Sequence, residues 1–433
     1  MTMTRLKKSI SFLAVALLTL NSIAGASVEM NSLDASGILL TLNEAVERTL
    51  ESHAEVKRAV ERLLKEEALY KGKRAGFFPK IGAETFQALA TGEQHFLTYF
   101  DASVEQPLFQ GGKIVAEKRK QEVRVESEKL KLDQAKRNLE LSVRILYAEV
   151  LKEKELTRIA QGEVKELTQG YERIKAIFDK ELIPRYELFR AETLLQKAKQ
   201  ALVRHKETYD YLLTVLKETI GINEEESIDL EPLDQIEDLA PDVSAYLEAF
   251  RKNDPVYKLK ELEVKEKGFE KRILQADRFP HISLAARWNL NRDVYVNADR
   301  FMVGIVGKWD IWDFGRLGSE IKAKSHEMEE AKWAGVIEIQ EKEKEIQKLF
   351  HEAKAMKEKI RLQEALIQER EEAYKNEKAN LVAGEKGTGE LLDSFLALEE
   401  AKMQKLEATS EYRVLLVRLQ SHVKLGNVKE SEI

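Results

Sequence analysis

Residues 281–291, His-Ile-Ser-Leu-Ala-Ala-Arg-Trp-Asn-Leu-Asn, and 300–310, Arg-Phe-Met-Val-Gly-Ile-Val-Gly-Lys-Trp-Asp, decide how this chain folds. In the first, Ile282, Leu284, Ala286, Trp288 and Leu290 alternate with Ser283, Ala285, Arg287, Asn289 and Asn291. In the second, Phe301, Val303, Ile305, Gly307 and Trp309 alternate with Met302, Gly304, Val306, Lys308 and Asp310. Successive side chains of a strand point to opposite faces, so a period of two gathers an apolar row on one side. Strands of about ten residues, apolar outside and polar inside, are the pattern of a membrane-spanning β-barrel.

The pattern recurs more weakly upstream, where Phe100, Ala102 and Val104 alternate with Asp101, Ser103 and Glu105 after the less regular 81–90. Aromatic residues flank these strands. Phe77, Phe78, Phe109, Phe279, Trp309, Trp312 and Phe314 fall towards the adjoining helices, and Phe96, Tyr99 and Tyr295 towards the hairpin tips. Such belts belong at a membrane–water interface, which makes Phe78, Phe279, Trp309 and Trp312 candidate interface residues. The competing reading is a hydrophobic cap between the strands and helices of a soluble protein.

The strands recur because the chain is written twice. Arg74-Ala75-Gly76-Phe77-Phe78-Pro79-Lys80-Ile81 returns as Gln275-Ala276-Asp277-Arg278-Phe279-Pro280-His281-Ile282, and Pro107-Leu108-Phe109-Gln110-Gly111-Gly112-Lys113 returns as Asp310-Ile311-Trp312-Asp313-Phe314-Gly315-Arg316. Residues 178–199 align without a gap on 381–402, and the halves close on Ile220-Gly221 and Leu425-Gly426. Four matches in the same order mark an internal duplication. It divides the chain into a first repeat (27–221), a linker (222–242), a second repeat (243–425) and a tail (426–433).

Each repeat predicts a helix of some thirty residues (42–75 and 243–277), two strands (about 80–108 and 281–310), a very long helix and a helix of about 35 residues. Pro79 and Pro280 stop the first helices, because proline removes a backbone donor and restricts the residue before it. In the long helices Ile339, Ile346, Ala353, Ile360, Ile367, Tyr374 and Leu381 stand seven residues apart, and Leu167, Tyr171, Ile174 and Phe178 alternate four and three. Sustained heptads predict coiled-coil packing. From about Lys113 to Phe178, and from Gly315 to Val382, each would run about 100 Å at about 1.5 Å per residue.

Composition narrows the function. Lys and Arg number 70 against 76 Asp and Glu, interspersed, which gives no argument for a nucleic-acid partner. The first 26 residues read as an export leader: Arg5, Lys7 and Lys8, an apolar run from Ile10 to Leu20, then Ala24-Gly25-Ala26. There is no cysteine, hence neither a disulfide nor an acylated lipoprotein start. No other stretch reads as a transmembrane helix, so membrane entry would have to be as a closed barrel. The histidines (His53, His95, His205, His281, His326, His351 and His422) are scattered, and no phosphate loop or nucleophile elbow is present. The expectation is a non-enzyme with no cofactor and no metal.

Four strands cannot close a barrel, since the smallest have about eight. Two copies would make a barrel filled by side chains, whereas three leave a passage. The ordered set of features, with Phe78-Pro79-Lys80-Ile81, Gln106 to Lys113, and Val382-Ala383-Gly384 leading into Glu390-Leu391-Leu392-Asp393, resembles the TolC-like outer membrane efflux family over essentially the whole chain after the leader.

The resemblance implies a mainly α protein with a β-barrel part: a homotrimer whose long helices form an α-barrel through the periplasm below a twelve-stranded barrel in outer-membrane lipid. It further implies a passive exit duct for a tripartite efflux pump or type I secretion system, docked to a periplasmic adaptor and an inner-membrane pump of RND, ABC or MFS type. By the same resemblance, the family's acidic ring at the periplasmic mouth falls on Glu390 and Asp393, and its latch on Lys386 with Glu187. Glu390 and Asp393 are three apart on one helix face, so threefold symmetry would gather six carboxylates. The alternative is two solvated acids in a helix's first turn, where the dipole favours them anyway. At the level of the whole chain, a periplasmic structural coiled coil or an adaptor protein stays the alternative.

Overall fold

The computed structural model describes residues 38–90, 95–223, 225–233, 238–292, 300–383 and 387–423. In chain order the elements are β1 (Ile38–Leu40), α1 (Leu42–Ser52), α2 (Ala54–Ala75), β2 (Lys80–Ala90), β3 (His95–Phe109), α3 (Lys113–Phe178) and α4 (Arg185–Ile220). Then follow β4 (Ile228–Leu230), α5 (Ser244–Asn253), α6 (Pro255–Ala276), β5 (His281–Arg292), β6 (Arg300–Lys308), α7 (Arg316–Ala383) and α8 (Thr388–Val423). The succession from α1 to α4 repeats from α5 to α8. The expected leader, the tail and Tyr295 lie outside the described residues.

One expectation needs correction. The helices expected over 42–75 and 243–277 are each broken, at His53 and at Asp254, both of which leave the helix for extended backbone. The His53 ring accepts the amide of Glu55 at 3.2 Å, and the Asp254 carboxylate accepts that of Val256 at 2.8 Å, with Pro255 at the first helical position. Each side chain caps an amide that a helix start leaves without a partner. The bends fall at equivalent places in the two repeats.

The four strands form one antiparallel sheet in the order β2-β3-β5-β6. Its register aligns Ala83, Ala102, Trp288 and Phe301 in one row, and Ile81, Val104, Ala286 and Val303 in the next. The alternation therefore carries across the sheet: one face presents Ile81, Val104, Leu284, Trp288, Phe301, Val303 and Ile305, the other Lys80, Glu84, Glu105, Arg287 and Lys308. Ile81, Phe301 and Ile305 are more than two-thirds exposed, so nothing among the described residues covers the apolar face. β2 and β6 are left as free edges.

Away from the sheet, α3 lies against α4 and α7 against α8 in paired shafts. Matching cores stand midway along them: Val143, Tyr147, Val150 and Leu216 in the first repeat, Ile346, Phe350, Ala353 and Leu419 in the second. Ile346 and Ala353, two of the expected heptad positions, are wholly buried. The first core recruits the linker, because β4 pairs in parallel with β1 and brings in Leu40, Ile228 and Leu230. The Tyr147 hydroxyl donates to the carbonyls of Leu40 and Glu231, 2.8 Å from each. Burial, reinforced by the nearby Glu231 carboxylate, pushes that phenol up to about 12.

Near the sheet, α3 is flanked by both α2 and α6, and Glu270 of α6 ties three helices together. Its carboxylate meets Lys120 of α3 at 2.9 Å and Lys324 of α7 at 3.3 Å. Burial alone would raise the carboxyl, but the ammonium groups of Lys120 and Lys324, with Lys267 3.7 Å away, outweigh it and hold the pKa down at about 2. A depressed carboxylate stabilises the fold above its ordinary value of 4.5, and that contribution disappears as pH falls towards 2. Glu270→Gln should therefore lower the melting temperature at pH 7 by about 2–4 °C. In melts of the detergent-solubilised protein, the gap from wild type should close as the pH is taken from 4.5 to 2.

Candidate channel gate

At the end of the shafts remote from the sheet, α3 stops at Phe178, Glu181 takes a left-handed φ of 59°, and Pro184 leads into α4. α7 ends at Ala383 and α8 begins at Thr388, and residues 384–386 lie outside the described residues, so the expected latch residue Lys386 has no described position.

α8 crosses onto α3 here. A Cβ added to Gly170 would fall 2.6 Å from a methyl of Leu392, so the absence of a side chain at 170 permits the approach. Leu167, Ile174, Ala191, Leu195 and Ala198 complete the cluster around Leu392.

Along the solvent edge of this contact, Arg190 of α4 donates to the Asp393 carboxylate of α8 at 2.5 Å. Glu187, one turn earlier on α4, sets a carboxylate oxygen 3.5 Å from the position a Cβ on Gly389 would occupy. The structure thus brings Glu187 and Asp393 to one α4–α8 seam. Glu390 is exposed in the first turn of α8. Of the two acids expected in a ring, Asp393 is matched by a guanidinium.

Sequence reasoning missed Arg190. The signal was available: Arg190 occupies in the first repeat the place of Asp393 in the second, so the gapless alignment of 178–199 on 381–402 sets opposite charges at one register position. Both side chains are more than a third exposed, which limits the pair to about 0–1 kcal/mol. Leu392, 3% exposed, buries its side chain against Leu167 and Ile174 of α3, and apolar burial of this kind is worth more than an exposed ion pair.

At the other end, Trp309 donates its indole N–H to the Arg278 carbonyl at 3.1 Å, and Phe109 meets Phe279 edge-on at 6.4 Å. Phe78, Phe279, Trp309 and Trp312 are all more than half exposed where strands give way to helices. Among the described residues, no three His, Asp or Glu side chains converge as a metal site, and no helix is long and apolar enough to cross a membrane.

The sequence model of the outer membrane efflux proteins matches residues 45–221 and 248–423, one match to each repeat. The chain belongs to the outer membrane efflux protein family. No curated protein matches it.

Solved structures share the fold at low identity. The outer membrane protein VceC of Vibrio cholerae superposes with a TM-score of 0.76 at 14% identity, over 88% of this chain and 95% of that one. The CmeC outer membrane channel of Campylobacter jejuni gives 0.75 at 14%, over 88% and 85%. The MtrE outer membrane channel of Neisseria gonorrhoeae, solved in an open state, gives 0.70 at 16%, over 88% of each chain. The fold they share with this chain is mainly helical, and here the described residues put four strands in one sheet and form two repeats.

The two contacts at the α8 seam differ in kind, and stability measurements should separate them. Leu392→Ala is expected to cost about 2–4 kcal/mol of unfolding free energy, and Arg190→Ala at most about 1 kcal/mol. Chemical denaturation of the detergent-solubilised variants reads both.

Proposed function

We propose that this efflux-family chain is the exit duct of a tripartite efflux pump or type I secretion system, a passive passage from a periplasmic assembly to the cell exterior. The observation that carries the reading is the four-stranded sheet with a bare apolar face and two free edges, continuous with shafts of 66 and 68 residues. An apolar face of this kind suits lipid, and free edges in lipid require closure. Three copies supply twelve strands and leave a lumen. The shafts would extend the passage by about 100 Å into the periplasm, where an adaptor and an inner-membrane pump would engage the far end.

At that end the α4–α8 seam acts as the closure. Arg190 and Asp393 hold the two helices together, and Glu390, exposed in the first turn of α8, supplies charge at the mouth, three carboxylates in a trimer. Such a ring favours cations. A purely structural coiled coil or an adaptor would have no use for the exposed row of Trp288, Phe301, Val303 and Ile305.

The test is a planar bilayer recording on protein first sized in detergent. A trimer should give small cation-selective currents. Arg190→Ala and Asp393→Ala should each raise the open conductance severalfold, and Glu390→Ala should weaken cation selectivity without opening the pore. Conducting trimers indifferent to all three substitutions would remove the gate and leave the duct. A soluble single copy that never conducts would return the chain to the structural coiled-coil reading.

A further inference from the structure

In a closed barrel the polar face of the sheet lines the passage, and its charges are sorted by repeat. On β2 and β3 that face presents Lys80, Glu84, Asp101 and Glu105, three acids against one base. On β5 and β6 the described residues present Arg287 and Lys308, with His281 directly opposite Lys308 and no acid. Glu84, Asp101 and Glu105 thus balance Lys80, Arg287 and Lys308 within one copy. The wall is neutral in sum but divided, negative where the first repeat stands and positive where the second does.

Stability does not account for the sorting. Glu84 lies directly opposite Asp101 in the strand register, and like charges so placed weaken a sheet. Lys80 faces Glu105 near the helices and offsets it, which leaves Glu84 and Asp101 as the net charge of the first strand pair. Arg287 pairs in register with Ser103, diagonal to Asp101, and its Nε stands 3.8 Å from the Asp101 carboxylate while 61% of its side chain stays exposed. Glu84 and Lys308 are exposed as well. The charges of both signs are therefore presented to whatever passes.

Three copies would repeat the divided wall three times, so that sectors of opposite sign alternate around the lumen. The centres of neighbouring sectors stand two strand spacings apart, about 10 Å. That is close to the Debye length of about 8 Å at physiological ionic strength, so each sector keeps its sign close to the wall. A singly charged solute gains at one sector and loses at the next. A solute carrying both signs can span a boundary and gain from both.

We propose that the barrel passage favours small zwitterionic solutes, in which a fixed cation and a fixed anion stand a few ångströms apart. Glu84 and Asp101 face the cation, and Arg287 and Lys308 face the anion. This rests on the duct reading and adds to it the class of cargo that the barrel suits. The selectivity for simple cations assigned to Glu390 belongs to the opposite end of the duct, since a wall neutral in sum supplies none of its own.

Planar bilayer recordings on sized trimers test the proposal. A short-chain sulfobetaine is added on the barrel side, with the alkyltrimethylammonium and the alkylsulfonate of the same chain length as singly charged controls. In the wild type the sulfobetaine should reduce the current at severalfold lower concentration than either control. Arg287→Gln should remove that advantage and favour the ammonium probe, Lys308→Gln should act in the same direction, and Glu84→Gln should favour the sulfonate. Equal block by the three probes in the wild type, which needs no substitution, would overturn the zwitterion passage and leave the duct. So would an order of block unchanged in all three variants. Particles that never conduct would overturn the duct reading and this inference with it.

Discussion

Backbone amides at a sheet edge must find acceptors, and in hydrocarbon they find them only in another strand. Among the described residues, β2 and β6 end the sheet with unpaired edges and nothing covers its apolar side. Everything below the sheet follows from that pair of facts. On the proposed duct reading a chain carrying a third of a barrel is repeated around an axis, and each element hung from the sheet is repeated with it. The long helices would then stand as staves of a cylinder, while the kinks at His53 and Asp254 let the short helices lie along the shafts where the mid-shaft cores form.

Two sorts of contact hold these staves. The mid-shaft contacts within a repeat are apolar and buried, as at Val143, Tyr147 and Leu216 or Ile346, Phe350 and Leu419. Contacts near the sheet are charged within a repeat and between repeats alike, and Glu270 makes one of each, to Lys324 of its own repeat and to Lys120 of the first. Packing by shape fixes the individual shafts, while pairing by charge selects which shaft stands next to which. The Arg190–Asp393 pair is also charged but lies at the end remote from the sheet, beside the apolar cluster around Leu392.

The strands were legible because a period of two survives in any environment where one side is apolar and the other wet. The long helices were legible because heptads fix a face over many turns. The mid-helix breaks were harder: Asp254-Pro255 is a readable start, but a histidine is an unusual cap, and only the offset from Asp254 marks His53. β1 and β4, three residues each, are too short for any period, and they exist because Tyr147 and the surrounding apolar core hold them. Arg190 escaped because its partner lies on a helix two hundred residues away, and sequence spacing does not reveal which helices cross.

The pairing of β3 with β5 also orders events in time. Thr98 meets Arg292, so the middle of the sheet joins strands from opposite repeats, with α3 and α4 intervening. Local helical contacts form fast, and distant strand pairings wait for the loop between them to close. The shafts of this protein can therefore acquire their helices and mid-shaft cores while the strands are still apart. During that interval the apolar residues of the sheet do not yet form one continuous greasy surface. On the proposed duct reading, transit through water and entry into lipid would be separable stages of one folding reaction, with the pairing of β3 and β5 as the step between them.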